Sequence, residues 1–259
     1  MFSSIGFIGT GTMGAAVARA AVKGAQGAPV LLANRTRSKA EAVARELGAQ
    51  TADNETVARE CSLIFLGVKP QMMEQMLSGL VPILKARKDR FVLASMAAGL
   101  DARRIQEMAG GAYPVICLMP NTPVAVGAGV VQYYGVDATE EELSDFQNLL
   151  SAAGMIDRVD PERLNAASAV SGCGPAFCAM FIEAPCGWRR GLRPAPGPGA
   201  GLCGQDGGGH GPADAGEPRP PRPAEGRSVL PRRNHHPGRT HPGGPGLPLR
   251  GDRSGHRRL

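Results

Sequence analysis

Short apolar runs alternate with longer stretches whose apolar positions recur every three or four residues, up to about residue 160. "SIGFIG" reads as a strand running into glycines, and Met13 to about Lys23 as an Ala-rich helix. "APVLLAN" follows as a second strand, "SKAEAVAREL" as a helix closed by Gly48, "AQTA" as a short strand and Asn54 to Glu60 as a helix. "SLIFLGV" is apolar throughout, as strands covered on both faces are. Pro70 opens a helix through about Lys85, because proline is tolerated at the first helical position. "RFVLASM" predicts a strand and "LDARRIQEMA" a helix with Asp101 in its first turn, while "YPVICLM" and "GAGVVQYY" read as the last strands. Thr139 and Glu142 have capping-box spacing and start a helix to about Ala152. "GMIDRV" reads as a short extended piece, and a helical run from Glu162 to Ala184 is interrupted by "SGCGP". This alternation predicts an α/β fold, a parallel doubly wound sheet followed by the start of a helical element.

The pattern stops at residue 185. "FIEAPCGWRRGLRPAPGPGAG" passes from an apolar helix face into Pro, Gly and Arg. Of the 75 residues from 185 to 259, 14 are Pro and 18 are Gly, and Ile, Phe, Tyr and Met are missing. Such a segment buries too little apolar surface to offset its chain entropy, so it is expected to be unstructured. It carries 13 Arg against five acids, or +8, and all five His; residues 1–184 carry 16 bases against 18 acids, or −2. The overall charge of +6 is therefore a property of the tail and says nothing about the partner of the folded part.

Three further features narrow the class. The six Cys form no CxxC pair and no Cys/His ligand spacing, which suits a reduced, cytoplasmic setting and no metal. "MFSSIGFIG" lacks the basic stretch that precedes the apolar core of a signal peptide. No apolar run reads as long enough to span a membrane.

The first turn carries chemistry. Gly9-Thr10-Gly11-Thr12-Met13-Gly14 is a complete GxGxxG after a strand and at the opening of a helix, the context that gives this motif meaning. Gly9 suits a tight turn, Gly11 an approaching pyrophosphate and Gly14 close contact between helix and strand. The helix start adds N–H donors and a positive dipole end for phosphate. Without a ligand, the same residues would be a tight strand-to-helix turn. At the end of the second strand, where an NAD site usually has Asp or Glu for the ribose 2′-hydroxyl, stands "ANRTRS". Asn34, Arg35, Thr36 and Arg37 offer donors and positive charge, which suits the 2′-phosphate of NADP, with NAD as the second candidate.

Two more strand ends point to the same crevice, since ligands of open α/β sheets lie at the carboxyl ends of strands. These are "GVKPQ" and "SMAAG". Lys69 is either a ligand contact or a solvated charge. Asn121 and Thr122, between two prolines in "MPNTP", form either a plain turn or a polar loop that orients a substrate.

Together "GFIGTGTMG", "FLGVKPQ", "SMAAGL", "MPNTP" with "VGAG", and "AVSGCGPAFCAMFIEA" resemble the pyrroline-5-carboxylate reductases, in order and approximate spacing across residues 1–184. The resemblance implies reduction of 1-pyrroline-5-carboxylate to L-proline with NAD(P)H, by an oxidoreductase of proline biosynthesis. It implies a Rossmann NADP-binding domain over 1–160 and the start of an all-α dimerisation domain over 161–184, in a homo-oligomer without membrane or nucleic-acid partners. It carries cofactor contacts to Ile8, Gly9, Thr10, Gly11, Thr12 and Met13, with Gly14 closing the motif, and to Asn34, Arg35 and Asn54. Further contacts fall on Gly67, Val68, Lys69 and Pro70, and on Met96, Ala97 and Ala98. No residue is singled out as a catalytic acid or nucleophile; a cyclic imine needs a hydride at carbon and a proton at nitrogen, and the cofactor brings the hydride. The resemblance ends at residue 185. One base later, suitable codons for "PCGWRRGLRP" read "LADGGVACGL", and those for "VLPRRNHHPG" read "CSPGGTTIQG". Both are similar to the family's continuation, so residues 185–259 are expected to be an out-of-frame tail and the chain as written inactive. The alternative is a non-catalytic dinucleotide-binding module with a disordered basic tail, which would meet nucleic acid through phosphates.

Overall fold

The computed structural model describes the backbone of residues 1–191 and the side chains of residues 1–184. Expectations for residues 192–259 lie outside the described residues.

The described chain forms one eight-stranded sheet with helices on both faces. Its elements are β1 (Ile5–Ile8), α1 (Thr12–Gly24), β2 (Val30–Ala33), α2 (Arg37–Leu47), β3 (Gln50–Thr51) and α3 (Asn54–Glu60). Then come β4 (Leu63–Leu66), α4 (Pro70–Ala86), β5 (Val92–Ser95), α5 (Ala102–Ala109), β6 (Val115–Pro120) and β7 (Gly129–Val136). α6 (Glu140–Leu149), β8 (Gly154–Arg158) and α7 (Leu164–Gly191) complete it. The strand order is β3-β2-β1-β4-β5-β6-β7-β8.

β1, β2, β4 and β5 are buried at every position, which explains their unbroken apolar runs. One face of the sheet packs on α1 and α6, through Val17, Ala21, Phe146 and Leu149. There Phe7 stacks on Phe65 with ring centroids 4.4 Å apart, and Tyr133 meets Phe146 at 5.1 Å. The other face packs on α3, α4 and α5, through Val57, Met73, Leu77 and Ile105. Local signals set the ends of several helices. Gly48 closes α2 in the left-handed conformation, at φ 68°. Asp101 caps α5 by accepting from the Arg104 N–H, and Thr139 and Glu142 form the full capping box of α6.

Several expectations are corrected. The sheet is mixed, because β6 and β7 run antiparallel while the other pairs are parallel. The segment between Pro120 and Gly129 is too short for the crossover that parallel neighbours need. Second, "GAGVVQYY" is not the last strand: β8 pairs in parallel with β7, reached through α6. Third, "SGCGP" does not interrupt the final helix, and Ala184 does not end it; α7 runs through both to Gly191. Pro175 and Pro185 each remove one N–H from it. The continuous helix makes Pro161–Ala184, at mean hydropathy 1.3, long and apolar enough by length and composition to cross a membrane, contrary to the expectation of none. Its Ser171 is hydrogen-bonded to Asn121, just after β6, and to Gln132 of β7.

Candidate dinucleotide site

Register places the site. Ile8 pairs with Ala33 and with Leu66, and Leu66 pairs with Ser95, so β1, β2, β4 and β5 end in one row. The loops after them therefore leave the sheet side by side: residues 9–14, 34–36, 67–70 and 96–98. β6 continues past this row, from Cys117 opposite Ser95 to Pro120, and delivers Asn121 and Thr122 just beyond it.

The glycines of the first loop have different reasons. Gly9 has φ 101°, and a Cβ there would lie 2.6 Å from the Gly67 carbonyl oxygen; one at Gly14 would lie 2.1 Å from the Gly9 oxygen. Contacts within the chain thus exclude side chains at both positions. Gly11 has an ordinary φ of −68°, and a Cβ there would meet nothing within 4 Å. Nothing among the described residues requires glycine at that position. What it preserves is open space against the start of α1, whose first turn has no acid and no side-chain cap. The N–H groups of that turn are the donors an anion would use. Beside them the Thr10 hydroxyl is buried and has no hydrogen-bond partner among the described residues. A buried polar group normally has one, so an oxygen-rich ligand fits this cradle.

Asn34 joins two of the loops. Its Oδ1 accepts from the Thr10 N–H at 3.3 Å and its Nδ2 donates to the Thr36 carbonyl at 3.0 Å. Asn34 and Arg35 line an open cavity of about 360 Å³ together with Asp53, Asn54 and Glu55. The sequence offered no acid at the end of β2, yet the fold supplies one from the start of α3. Asp53 accepts from the Thr56 N–H at 2.7 Å, and this bond, helped by Arg59 and Arg37, holds its carboxyl below the usual range. Farther along the row, Gly67 and Val68 are partly covered, and Lys69 and Pro70 exposed. Met96 is half-buried, Ala97 buried and Ala98 exposed. A Cβ at Gly67 would lie 2.4 Å from the Gly9 oxygen and 3.1 Å from Met96 Cε, so these two loops touch.

"MPNTP" has a role that its spacing concealed. Asn121 is buried; its Oδ1 accepts from the Val130 N–H at 2.8 Å and its Nδ2 donates to the Ser171 carbonyl at 3.0 Å. In an α-helix that carbonyl would accept from the N–H of residue 175, which is proline and has none. The Ser171 hydroxyl donates in turn to Gln132 Oε1 at 2.8 Å. "MPNTP" and "SGCGP" therefore complete each other's hydrogen bonding, and Thr122 remains exposed at the turn. Among the described residues no cluster of His, Cys, Asp and Glu could hold a metal ion. The buried Cys61 and Cys117 thiols are pushed up by burial to about 12 and about 11.

Residues 4–99 match the family of NADP oxidoreductases described as coenzyme F420-dependent. The pyrroline-5-carboxylate reductase of Escherichia coli (strain K12) is 31% identical over 188 residues, covering 71% of this chain and 69% of that one. The chain belongs to the pyrroline-5-carboxylate reductase family. The pyrroline-5-carboxylate reductase of Glycine max is 35% identical over 189 residues, covering 70% of this chain and 66% of its own length. Among solved structures, the pyrroline-5-carboxylate reductase of Coxiella burnetii superposes with a TM-score of 0.68 at 27% identity, over 79% of this chain and 76% of that one. The Plasmodium falciparum enzyme, with NADP bound, gives 0.67 at 24% identity, over 78% and 75%, and shares the fold. The chain spans 66% of the Glycine max reductase and 58% of that from Corynebacterium melassecola, short of two thirds of either.

Proposed function

We propose that the sheet edge binds NADP(H), with NAD(H) as a second cofactor, and that the chain derives from an oxidoreductase that reduces 1-pyrroline-5-carboxylate to L-proline. The observation that carries the cofactor reading is Gly11: a glycine that neither backbone geometry nor any neighbour among the described residues requires, facing open space at an uncapped helix start. The N–H groups of Thr12, Met13 and Gly14 would hold the pyrophosphate, with Ile8, Gly9 and Thr10 shaping the turn. Asn34, Arg35 and Asn54 would take the adenosine ribose and its 2′-phosphate. Gly67, Val68, Lys69 and Pro70, with Met96, Ala97 and Ala98, would flank the nicotinamide half. The cofactor would supply the hydride, and the chain would bind and orient it. Asn121 and Thr122 mark the substrate end, Thr122 as the exposed hydroxyl.

We further propose that residues 185–259 are read one base out of frame, so that the chain as written binds the cofactor but does not turn over. A cytoplasmic homo-oligomer is the expected form of the frame-restored protein. Oxidation of NADPH dependent on 1-pyrroline-5-carboxylate tests this on both chains. Activity only in the frame-restored chain supports the reading, and activity in the chain as written refutes it. If NADPH binds to both and neither turns over, the chain is a dinucleotide-binding module.

A further inference from the structure

Dinucleotide sheets that prefer NAD usually place an acid at the end of the second strand, where it accepts from the ribose 2′-hydroxyl. Here that position holds Asn34, whose side chain is committed to Thr10 and Thr36. The same cavity is also lined by Asp53, at the end of the β3–α3 connection. β3 is only two residues long and pairs with β2, which brings this connection alongside Arg35. The Asp53 carboxylate is held by the Thr56 N–H at 2.7 Å and stays ionised near neutrality.

We propose that Asp53 is a cofactor-specificity residue: sharing one cavity with Arg35, it opposes the 2′-phosphate of NADP and favours the 2′-hydroxyl of NAD, so that the site discriminates weakly. This rests on the reading of that cavity as the 2′-position of the adenosine ribose. The physics is a balance of charges. Arg35 attracts a phosphate of nearly two negative charges, and Asp53 subtracts from that attraction. At a separation of roughly 6 Å in a water-like dielectric, removing one carboxylate charge tightens binding of a dianion about five- to tenfold. The same charge is nearly indifferent to NADH, which loses only a hydrogen-bond acceptor.

The test uses the full chain as written, with NADPH and NADH binding followed by cofactor fluorescence, so that turnover is not needed. In Asp53→Asn, the amide still caps α3 and the charge is gone. The expected result is NADPH binding tightened about five- to tenfold, with NADH binding unchanged or weaker. The gain should fade in 1 M salt, where the screening length falls to about 3 Å. Asp53→Ser, also a good cap, should behave likewise. Glu55→Gln removes a charge that no backbone donor pins and should do much less. An unchanged NADPH/NADH ratio in the two folded Asp53 variants overturns the proposal, as does an equal shift in Glu55→Gln. Arg35→Met tests the underlying reading separately and should weaken NADPH selectively. If it does not, or if the wild-type chain binds neither cofactor, the pocket assignment fails and the proposal with it.

Discussion

Replacing Asn121 by Ala should loosen α7 from the sheet, and Pro175 gives a way to show why. Asn121 is 7% exposed, and its side chain serves the Val130 N–H at 2.8 Å and the Ser171 carbonyl at 3.0 Å. Truncation strands one donor and one acceptor. Each stranded buried group costs about 1–3 kcal/mol, so the loss should be about 2–4 kcal/mol, less than the maximum because the site is only part-buried at Ser171. Pro175→Ala restores an N–H four residues beyond Ser171, and the carbonyl then has a partner within the helix. Pro175→Ala should therefore help the Asn121→Ala chain more than the wild type, where Asn121 already fills that role. A double-mutant cycle on thermal unfolding removes the general gain from losing a helical proline and should leave a coupling of about 1 kcal/mol. Hydrogen exchange at Val130 should stay fast in both Asn121→Ala chains, because Pro175→Ala repairs only the Ser171 arm. A coupling indistinguishable from zero, with Pro175→Ala stabilising both backgrounds equally, would refute the reasoning.

Gly11→Ala should shift stability by less than about 1 kcal/mol, because its methyl meets no atom of the described residues, yet weaken NADPH binding at least tenfold, as fluorescence titration would show. Gly14→Ala, with its methyl 2.1 Å from the Gly9 oxygen, should instead lower the melting temperature as well. Burial alone would raise the Glu142 carboxyl, but the Arg90 guanidinium and the Thr139 N–H outweigh it and hold the group below its usual 4.5. Its folded pKa lies below the unfolded one, so the pairing contributes stability that is full above pH 4.5 and is lost as pH falls through the folded value. The stability gap between wild type and Glu142→Gln in urea titrations should therefore close on acidification, and a gap independent of pH would count against the pairing. Val170, Phe177, Met180 and Phe181 stand exposed on α7. Phe177→Ser with Phe181→Ser should reduce self-association of the chain as written in size-exclusion chromatography, and a monodisperse wild type would contradict this.

What could be read directly was local. The glycine loop, the αL end of α2 and the capping box of α6 are short-range patterns, and each stands where its spacing puts it. The site residues near Arg35 were half legible for the opposite reason. Asn34 and Arg35 follow a strand end and can be read in place, whereas Asp53 reaches the same cavity only through the pairing of β2 with β3. Antiparallel β6 and β7 were hidden because an apolar run does not encode its direction. β8 was legible only as the extended piece "GMIDRV" and not as a paired strand, because its residues are exposed or only partly covered and lack a buried strand's apolar run. "SGCGP" looked like a break because its helical defect is repaired by a side chain 50 residues away.

β1 precedes the other strands of this sheet along the chain and lies between β2 and β4. Its start is tied to a residue 58 positions later, where Ser4 and Ser62 exchange backbone and side-chain hydrogen bonds in both directions. During synthesis β1 can have its second neighbour only once the chain extends through Leu66, the end of β4. The earliest point at which the nucleotide loop can take its final shape is set by that delay, because Gly9 closes against Gly67. A chain that stops short of Gly67 would carry the glycine motif without the contact that closes its turn, so the loop's final shape reports that β4 is in place.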